Sequence, residues 1–257
     1  MTSILEPLLD IQRLTVFPIK SAEDDILDGK NLNRPLLDRV SWCVHPREVW
    51  WLQGENGASK SVLLSCALGP EKLQTLAFAQ HLNREWDVEV DPDVDRRRKR
   101  PPAVTCTDSV EMVSTELHMA LLASESAKSS LVKDMLEEKC PNANRVAQVM
   151  DGLGIDSSLL QRPFGDLSTG EQKLVLICCA VVAQPKLLIL DEPCQSLDVE
   201  HRKRVAHMVD RLCTSSTSDT ACIFVTHHED ELPRVVSHRL VLVKGKVLSR
   251  GHYTASF

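Results

Sequence analysis

Residues 53–64 read QGENGASKSVLL, a glycine-rich turn running into apolar helix formers. A phosphate loop needs glycine, four residues, then Gly-Lys-Ser/Thr. The chain has Gly54, Lys60 and Ser61 at that spacing, with Ser59 where the second glycine belongs. Upstream, DRVSWCVHPREVWWL alternates apolar and polar residues and then runs apolar from Val49 to Leu52, as a strand does. Downstream, SKSVLLSCAL has the composition and apolar spacing of a short helix, which Gly69-Pro70 is expected to stop. Strand, loop and helix together place backbone N–H groups around phosphate oxygens at a helix N-terminus. The candidate contacts are Gly54, Asn56, Gly57, Ala58, Ser59, Lys60, Ser61 and Val62. Lys60 would reach the terminal phosphates and the Ser61 hydroxyl would hold Mg²⁺. A serine at 59 costs about 1–2 kcal/mol if its backbone must be left-handed, which weakens binding without abolishing it. Alone, the stretch does not separate a nucleotide site from an ordinary turn before a helix.

A second motif, KLLILDEP, carries four apolar residues, Leu187 to Leu190, into Asp191 and Glu192. A buried strand ending in two carboxylates puts acid at the edge where an open α/β sheet binds its ligands. Asp191 is the candidate Mg²⁺ ligand and Glu192 the candidate for polarising an attacking water. The plainer reading is a strand followed by a polar turn at Pro193. A third motif, LSTGEQK (167–173), opens a helix with Ser168 as N-cap and Glu171 three positions on, a capping box that needs no functional explanation by itself. Its place, one helix and one turn ahead of the acid-tipped strand, joins it to the other two.

The 257 residues are 43% hydrophobic and 26% charged, the balance of a soluble globular chain. The net charge of −6 argues against a surface built to neutralise nucleic acid, and no nucleic-acid partner is expected. Nine cysteines without CxxC pairing read as buried thiols in a reducing compartment, cytoplasmic or on an organelle's matrix side. The opening residues lack a secretory or transit signature, and no run approaches the roughly 18–20 apolar residues of a membrane span. Any work at a membrane would therefore be peripheral, through another chain. Residues 81–102 turn acidic, then basic from Arg96 to Arg100, and read as a solvated excursion, with a nuclear-import or nucleic-acid patch as the competing reading. Helical patterning dominates from 116 to 160, and strands alternate with helices elsewhere. The expectation is one domain over 1–257: an α/β core at about 1–115 and 161–257, mostly parallel but ending in a hairpin, with a helical subdomain at about 116–160.

Taken together these motifs resemble the ATP-binding cassette ATPases over nearly the whole chain. GENGASKS resembles the family's Walker A, LSTGEQ its signature, LLILDEP its Walker B with catalytic glutamate, SLD (196–198) its D-loop and VTHH its switch-histidine segment, all in family order. DEPCQSLD and THHEDELP look most similar to the soluble ModF-like branch, of molybdate-transport or photorepair type. The resemblance implies a P-loop NTPase, RecA-like, with an antiparallel β portion and an inserted helical subdomain. It implies ATP and Mg²⁺ bound between two cassettes paired head to tail, identical or different, with a separate transmembrane permease as a further partner. It assigns Lys60 and the loop amides to the β and γ phosphates, Ser61 and Asp191 to Mg²⁺, Glu192 to the general base and His227 to the γ-phosphate. Ser168, Thr169, Gly170 and Glu171 would meet the partner's nucleotide, Asp198 would communicate between sites, and Phe17 would stack on adenine.

Four departures bear on function. Beyond Ser59, the signature has Thr169 for a glycine and Glu171 for a glutamine, and Thr115 or Glu116 stands where the metal-coordinating Gln-loop glutamine is expected. Lys60, Ser61, Asp191, Glu192 and His227 are all present, so the expectation is ATP hydrolysis powering a transporter subunit or another switched process. The alternative is a soluble nucleotide-gated scaffold with vestigial hydrolysis.

Overall fold

The apolar runs flanking the motifs fold as parallel strands in a computed structural model that describes residues 6–18, 34–75, 86–90, 104–216 and 218–254. The chain divides into two compact units.

The first unit comprises Met1–His45, Gln53–Thr107 and Leu240–Gly251. Its sheet is antiparallel: β1 (Leu9–Pro18) lies between β2 (Leu37–Val44) and β4 (Trp86–Val90), and β5 (Val104–Cys106) pairs with another part of β1. Leu9, Ile11, Leu14 and Val16 of β1 are buried, as are Leu37, Val40, Trp42 and Val44 of β2. The apolar faces of two half-buried strands thus build this core. Helix α1 (Lys60–Thr75) follows the glycine-rich loop and does not stop at Gly69-Pro70. Proline ordinarily expels the preceding residue from the helix by clashing with its Cβ, and glycine has none. Strand β4 lies inside the stretch read as a solvated excursion, whereas Arg96–Arg100 fall outside the described residues.

The second unit comprises Pro46–Leu52, Asp108–Arg239 and His252–Phe257. Here β3 (Val49–Gln53, to Leu52), β8 (Ala221–Val225), β7 (Leu187–Asp191) and β6 (Val110–Val113) pair in that order, all parallel, with Leu52 opposite Val225 and Asp191 opposite Val225 from the other side. Every residue of β7 and β8 is buried, the continuous apolar run expected of a strand covered on both faces. Helices α2 (Thr115–Ala123), α3 (Glu125–Ser129), α4 (Val132–Lys139) and α5 (Ala143–Leu153) precede α6 (Thr169–Val182), and α7 (Val199–Thr214) follows β7. The continuous helical pattern of 116–139 is cut at Ser124, whose hydroxyl accepts from the Ala127 N–H and so starts a new helix. Gly154, left-handed at φ 72°, ends α5. From Gln172 to Val182 every residue of α6 is buried, so it is a core helix enclosed on all sides. Among the described residues the last regular structure is a hairpin of β9 (His238–Val243) and β10 (Lys246–His252), of which Leu240–Gly251 belongs to the first unit.

Candidate active site

In the first unit the phosphate loop opens at Gly54, which is buried and has no room for a side chain. A Cβ there would stand 2.6 Å from the Leu242 carbonyl oxygen and 3.0 Å from the Ala58 Cβ. The Ala58 N–H donates to the Glu55 carbonyl at 3.0 Å, closing a turn, and Gly57 takes φ 79° in open space. Ser59 takes φ 70°, the left-handed geometry for which glycine is the usual residue. The serine therefore adopts the loop's conformation instead of reshaping it. The Leu63 N–H donates to the Ser59 carbonyl at 3.0 Å, so α1 starts at this residue, with Ser61 exposed in its first turn. Lys60 folds back, its ammonium donating to the Gly54 carbonyl at 2.7 Å and the Glu55 carbonyl at 3.3 Å. Asn56 is exposed, Val62 half-buried, and Phe17 half-buried near the end of β1, opposite Asp87. The loop fits a polyphosphate: two left-handed residues turn the backbone ahead of a helix N-terminus whose first residue is a cation.

In the second unit Asp191 ends β7, 5% exposed, and Glu192 follows at φ 52°. The Glu192 N–H donates to the Val225 carbonyl at 3.1 Å, fixing this strained residue to the end of β8. From β8 the chain passes through buried Thr226 to His227, whose Nε2 lies 3.2 Å from the Glu192 Oε1. The two candidate catalytic side chains thus meet at the C-terminal ends of adjacent parallel strands. Thr226 is anchored by Glu231, a buried carboxylate that accepts from its hydroxyl at 2.5 Å and pairs with Arg202 at 3.1 Å. Arg202 also donates to the Leu197 carbonyl at 2.9 Å, linking the switch segment to the D-loop.

The signature helix carries the expected capping box. The Ser168 hydroxyl accepts from the Glu171 N–H, while the Glu171 carboxylate accepts from both the Ser168 N–H and its hydroxyl, each at 2.7 Å. These bonds, with Arg162 nearby, hold the Glu171 carboxyl below its ordinary pKa. Its charge is directed back at the N-cap and occupies the Ser168 hydroxyl. A Cβ on Gly170 would lie 3.1 Å from the Ser196 carbonyl, so the D-loop crosses directly over it. Signature and D-loop share an open cleft of about 580 Å³ lined by Ser168, Thr169, Gly170, Ser196, Asp198 and His201 among others. Asp198 caps α7, accepting from the His201 N–H at 2.8 Å; that bond lowers its pKa.

Thr115 and Glu116 are not at a strand end. Ser114 caps α2, so both lie in its first turn, and the Thr115 hydroxyl donates to the Gln195 Oε1 at 3.3 Å. Gln195 was not anticipated from sequence. Among the described residues no cluster of three His, Cys, Asp or Glu could hold a metal. Mg²⁺ binds hard oxygens, keeps waters and substrate oxygens, and takes few protein ligands. The hard oxygens of Ser61 and Asp191 are of the right chemistry.

This fold and these motifs are those of an ATP-binding cassette. The sequence profile of the ABC transporter family matches residues 37–195, and the chain belongs to that family, as its ATPase domain. It is 33% identical over 221 residues to the ABC transporter ATP-binding protein ModF of Escherichia coli, covering 82% of this chain and 42% of ModF. It is also 29% identical over 217 residues to the molybdenum import ATP-binding protein ModC of Aromatoleum aromaticum, covering 82% of this chain and 53% of ModC. The chain thus spans about half or less of the length of these two relatives. Among solved structures, an ATP-binding subunit of an ABC transporter superposes with TM-score 0.63 at 17% identity, covering 95% of this chain and 90% of the other. A dimeric cassette in a post-hydrolysis state bound to ADP and Pi superposes with TM-score 0.60 at 14% identity, covering 96% and 100%. The likeness to these structures is one of fold. Among the described residues no helix is long and apolar enough to cross a membrane.

Proposed function

We propose that the chain binds Mg-ATP through its phosphate loop and hydrolyses it as one of two cassettes paired head to tail, driving transport through a separate membrane permease. The observation that carries this reading is the 3.2 Å pairing of Glu192 with His227, a carboxylate base oriented by an imidazole at the strand ends where such sheets act on ligands. Lys60 leaves the Gly54 carbonyl to bind the β and γ phosphates, and the loop amides from Gly57 to Ser61 donate to them. Ser61 and Asp191 hold Mg²⁺, which when bound neutralises charge on the phosphates. Glu192 takes a proton from the attacking water while His227 contacts the γ-phosphate. Phe17 supplies the face on which adenine stacks. Across the dimer, Ser168, Thr169, Gly170 and Glu171 receive the partner's nucleotide, and Asp198 relays between the sites. One domain is proposed over the whole chain, with the helices at 116–160 as its inserted subdomain and a reducing, cytoplasmic or matrix-side setting.

Phosphate release by the natural chain, against Glu192→Gln and Lys60→Ala, tests the hydrolytic reading. Turnover by the natural chain, lost in both variants, supports it; equal release by all three overturns it. The second reading is a nucleotide-gated scaffold with vestigial hydrolysis, and the observation favouring it is the Ser168 hydroxyl already bound by Glu171. That reading wins if ATP binds and no phosphate is released.

A further inference from the structure

His227 reaches the Glu192 carboxylate from a segment beyond β8, which ends at Val225. Its Cα is carried by two planar peptides, and fixing both fixes the direction in which the imidazole leaves the backbone. Each of the two is tied by a side chain. The peptide before His227 presents the Thr226 carbonyl, which accepts from the Trp51 indole Nε1–H at 3.0 Å. The peptide after it presents the His228 N–H, which donates to the Thr226 hydroxyl oxygen at 3.1 Å, and that hydroxyl is itself held by Glu231. Trp51 lies on β3 opposite Phe224 of β8 and is 3% exposed. A buried strand position needs only apolar bulk, which a branched aliphatic residue supplies. A buried indole N–H demands an acceptor as well, and the one it takes is the peptide of the switch histidine. The indole is braced in turn. The Tyr253 and Trp51 rings meet at 82° with centroids 5.4 Å apart, and the Arg239 guanidinium carbon lies 5.4 Å from the Trp51 ring centroid. The Tyr253 N–H donates to the Ser237 carbonyl at 2.9 Å, and its hydroxyl donates to Glu229, two residues past His227.

Resting on the Mg-ATP reading above, we propose that Trp51 is a positioning residue for His227 and that Tyr253, on the segment after β10, braces it. Trp51 acts through the Thr226–His227 peptide. With its N–H bond made, the imidazole stands 3.2 Å from Glu192. With that bond lost, the Thr226 carbonyl loses its indole donor and the peptide turns to find another, carrying the imidazole with it. A displacement of about 1 Å at a reacting group costs up to about 100-fold in rate, and loss of one positioning hydrogen bond costs at least about fivefold. Trp51 and His227 act as one unit, so their losses do not add.

The test uses the full chain in its natural form and as Trp51→Phe, Tyr253→Phe, His227→Ala and the double variant of Trp51→Phe with His227→Ala. Phosphate release gives kcat and KM for ATP. Modification of His227 by diethyl pyrocarbonate without nucleotide, read by mass spectrometry, reports how firmly the ring is held. Trp51→Phe keeps an aromatic ring at the position and removes the donor. Its kcat falls at least about fivefold with KM within about twofold of the natural value, and the same substitution changes kcat by less than about twofold once His227 is alanine. His227 is modified at least about fivefold faster in Trp51→Phe, while His201 and His207 on α7 keep their natural rates. Equal losses of kcat in both backgrounds mark a merely structural tryptophan and overturn the assignment. So does a change in KM alone, or an unchanged rate of modification at His227. Should Trp51→Phe not fold, Tyr253→Phe decides, since it loses only the hydroxyl that holds Glu229: modification of His227 at least about twofold faster supports the assignment, and the natural rate overturns it. A natural chain that releases no phosphate overturns the hydrolytic reading itself; the modification rates then decide on Trp51, which stands only if His227 alone becomes more reactive.

Discussion

Replacing Ser59 with glycine asks where the strain in the phosphate loop is held. Ser59 is left-handed at φ 70°, and the cost of placing a Cβ there, about 1–2 kcal/mol, is predicted to be carried by the folded chain before ATP arrives. Glycine removes that cost and adds about 0.5–1 kcal/mol through the extra freedom of the unfolded chain. The net gain is about 0.5–1 kcal/mol of stability. For a chain of this size that corresponds to a rise in Tm of about 1–4 °C. Because the loop already has its turn, the affinity for ATP changes by less than about threefold. Calorimetry of the nucleotide-free variant and titration with a fluorescent ATP analogue measure the two quantities. A fall in Tm would show that the serine's geometry is not strained. Tenfold tighter ATP with an unchanged Tm would show that the strain arises only on binding, and either result refutes the reasoning.

The opposite substitution, Gly54→Ala, places a Cβ 2.6 Å from a backbone oxygen and is expected to cost about 1–3 kcal/mol and at least about tenfold in ATP affinity; natural Tm and affinity would contradict it. Glu171→Gln removes a carboxylate whose folded pKa is depressed by its bonds to Ser168. The sign follows from linkage: its contribution is full above the ordinary glutamate pKa and is lost as pH falls through the lower folded value. The natural chain's advantage in Tm over the variant is therefore flat from pH 8 to about 5 and vanishes in more acidic solution, whereas an advantage that grew on acidification would be contrary. Six thiols, Cys140, Cys178, Cys179, Cys194, Cys213 and Cys222, are buried, and burial pushes Cys194 and Cys213 up to about 12. A colorimetric thiol reagent at pH 8 is expected to label the half-buried Cys43 and Cys106 in the folded chain, Cys66 more slowly because burial pushes its thiol up to about 11, and all nine in denaturant.

The parts of this molecule readable from sequence are those where one local rule acts alone. KLLILD and ACIFV are unbroken apolar runs, and both fold as strands buried throughout. Ser168 and Glu171 carry the spacing of a capping box and form one. Legibility fails where two rules compete. Gly69-Pro70 reads as a stop, yet α1 continues, because the glycine relieves the clash that makes proline a stop. The acidic stretch around WDVEV reads as loop, yet its alternation is that of a strand and β1 pairs with it. Helical periodicity in 116–139 gives no sign of the break at Ser124, since a serine hydroxyl that turns to cap a new helix looks the same in sequence as one on a helix face. In the site, the loop and the carboxylate pair were legible from spacing. The contact of Thr115 with Gln195 and the burial of Lys173 were not, because both depend on which elements the fold brings beside them.

The central claim is that two such chains close around ATP and that Glu192 limits how long they stay closed. The direct measurement is mass in solution by light scattering for Glu192→Gln, with and without Mg-ATP. The account predicts a monomer without nucleotide and a dimer with it, the natural chain dimerising less because it hydrolyses its ATP. A variant that binds Mg-ATP and remains monomeric at every concentration tested would contradict it.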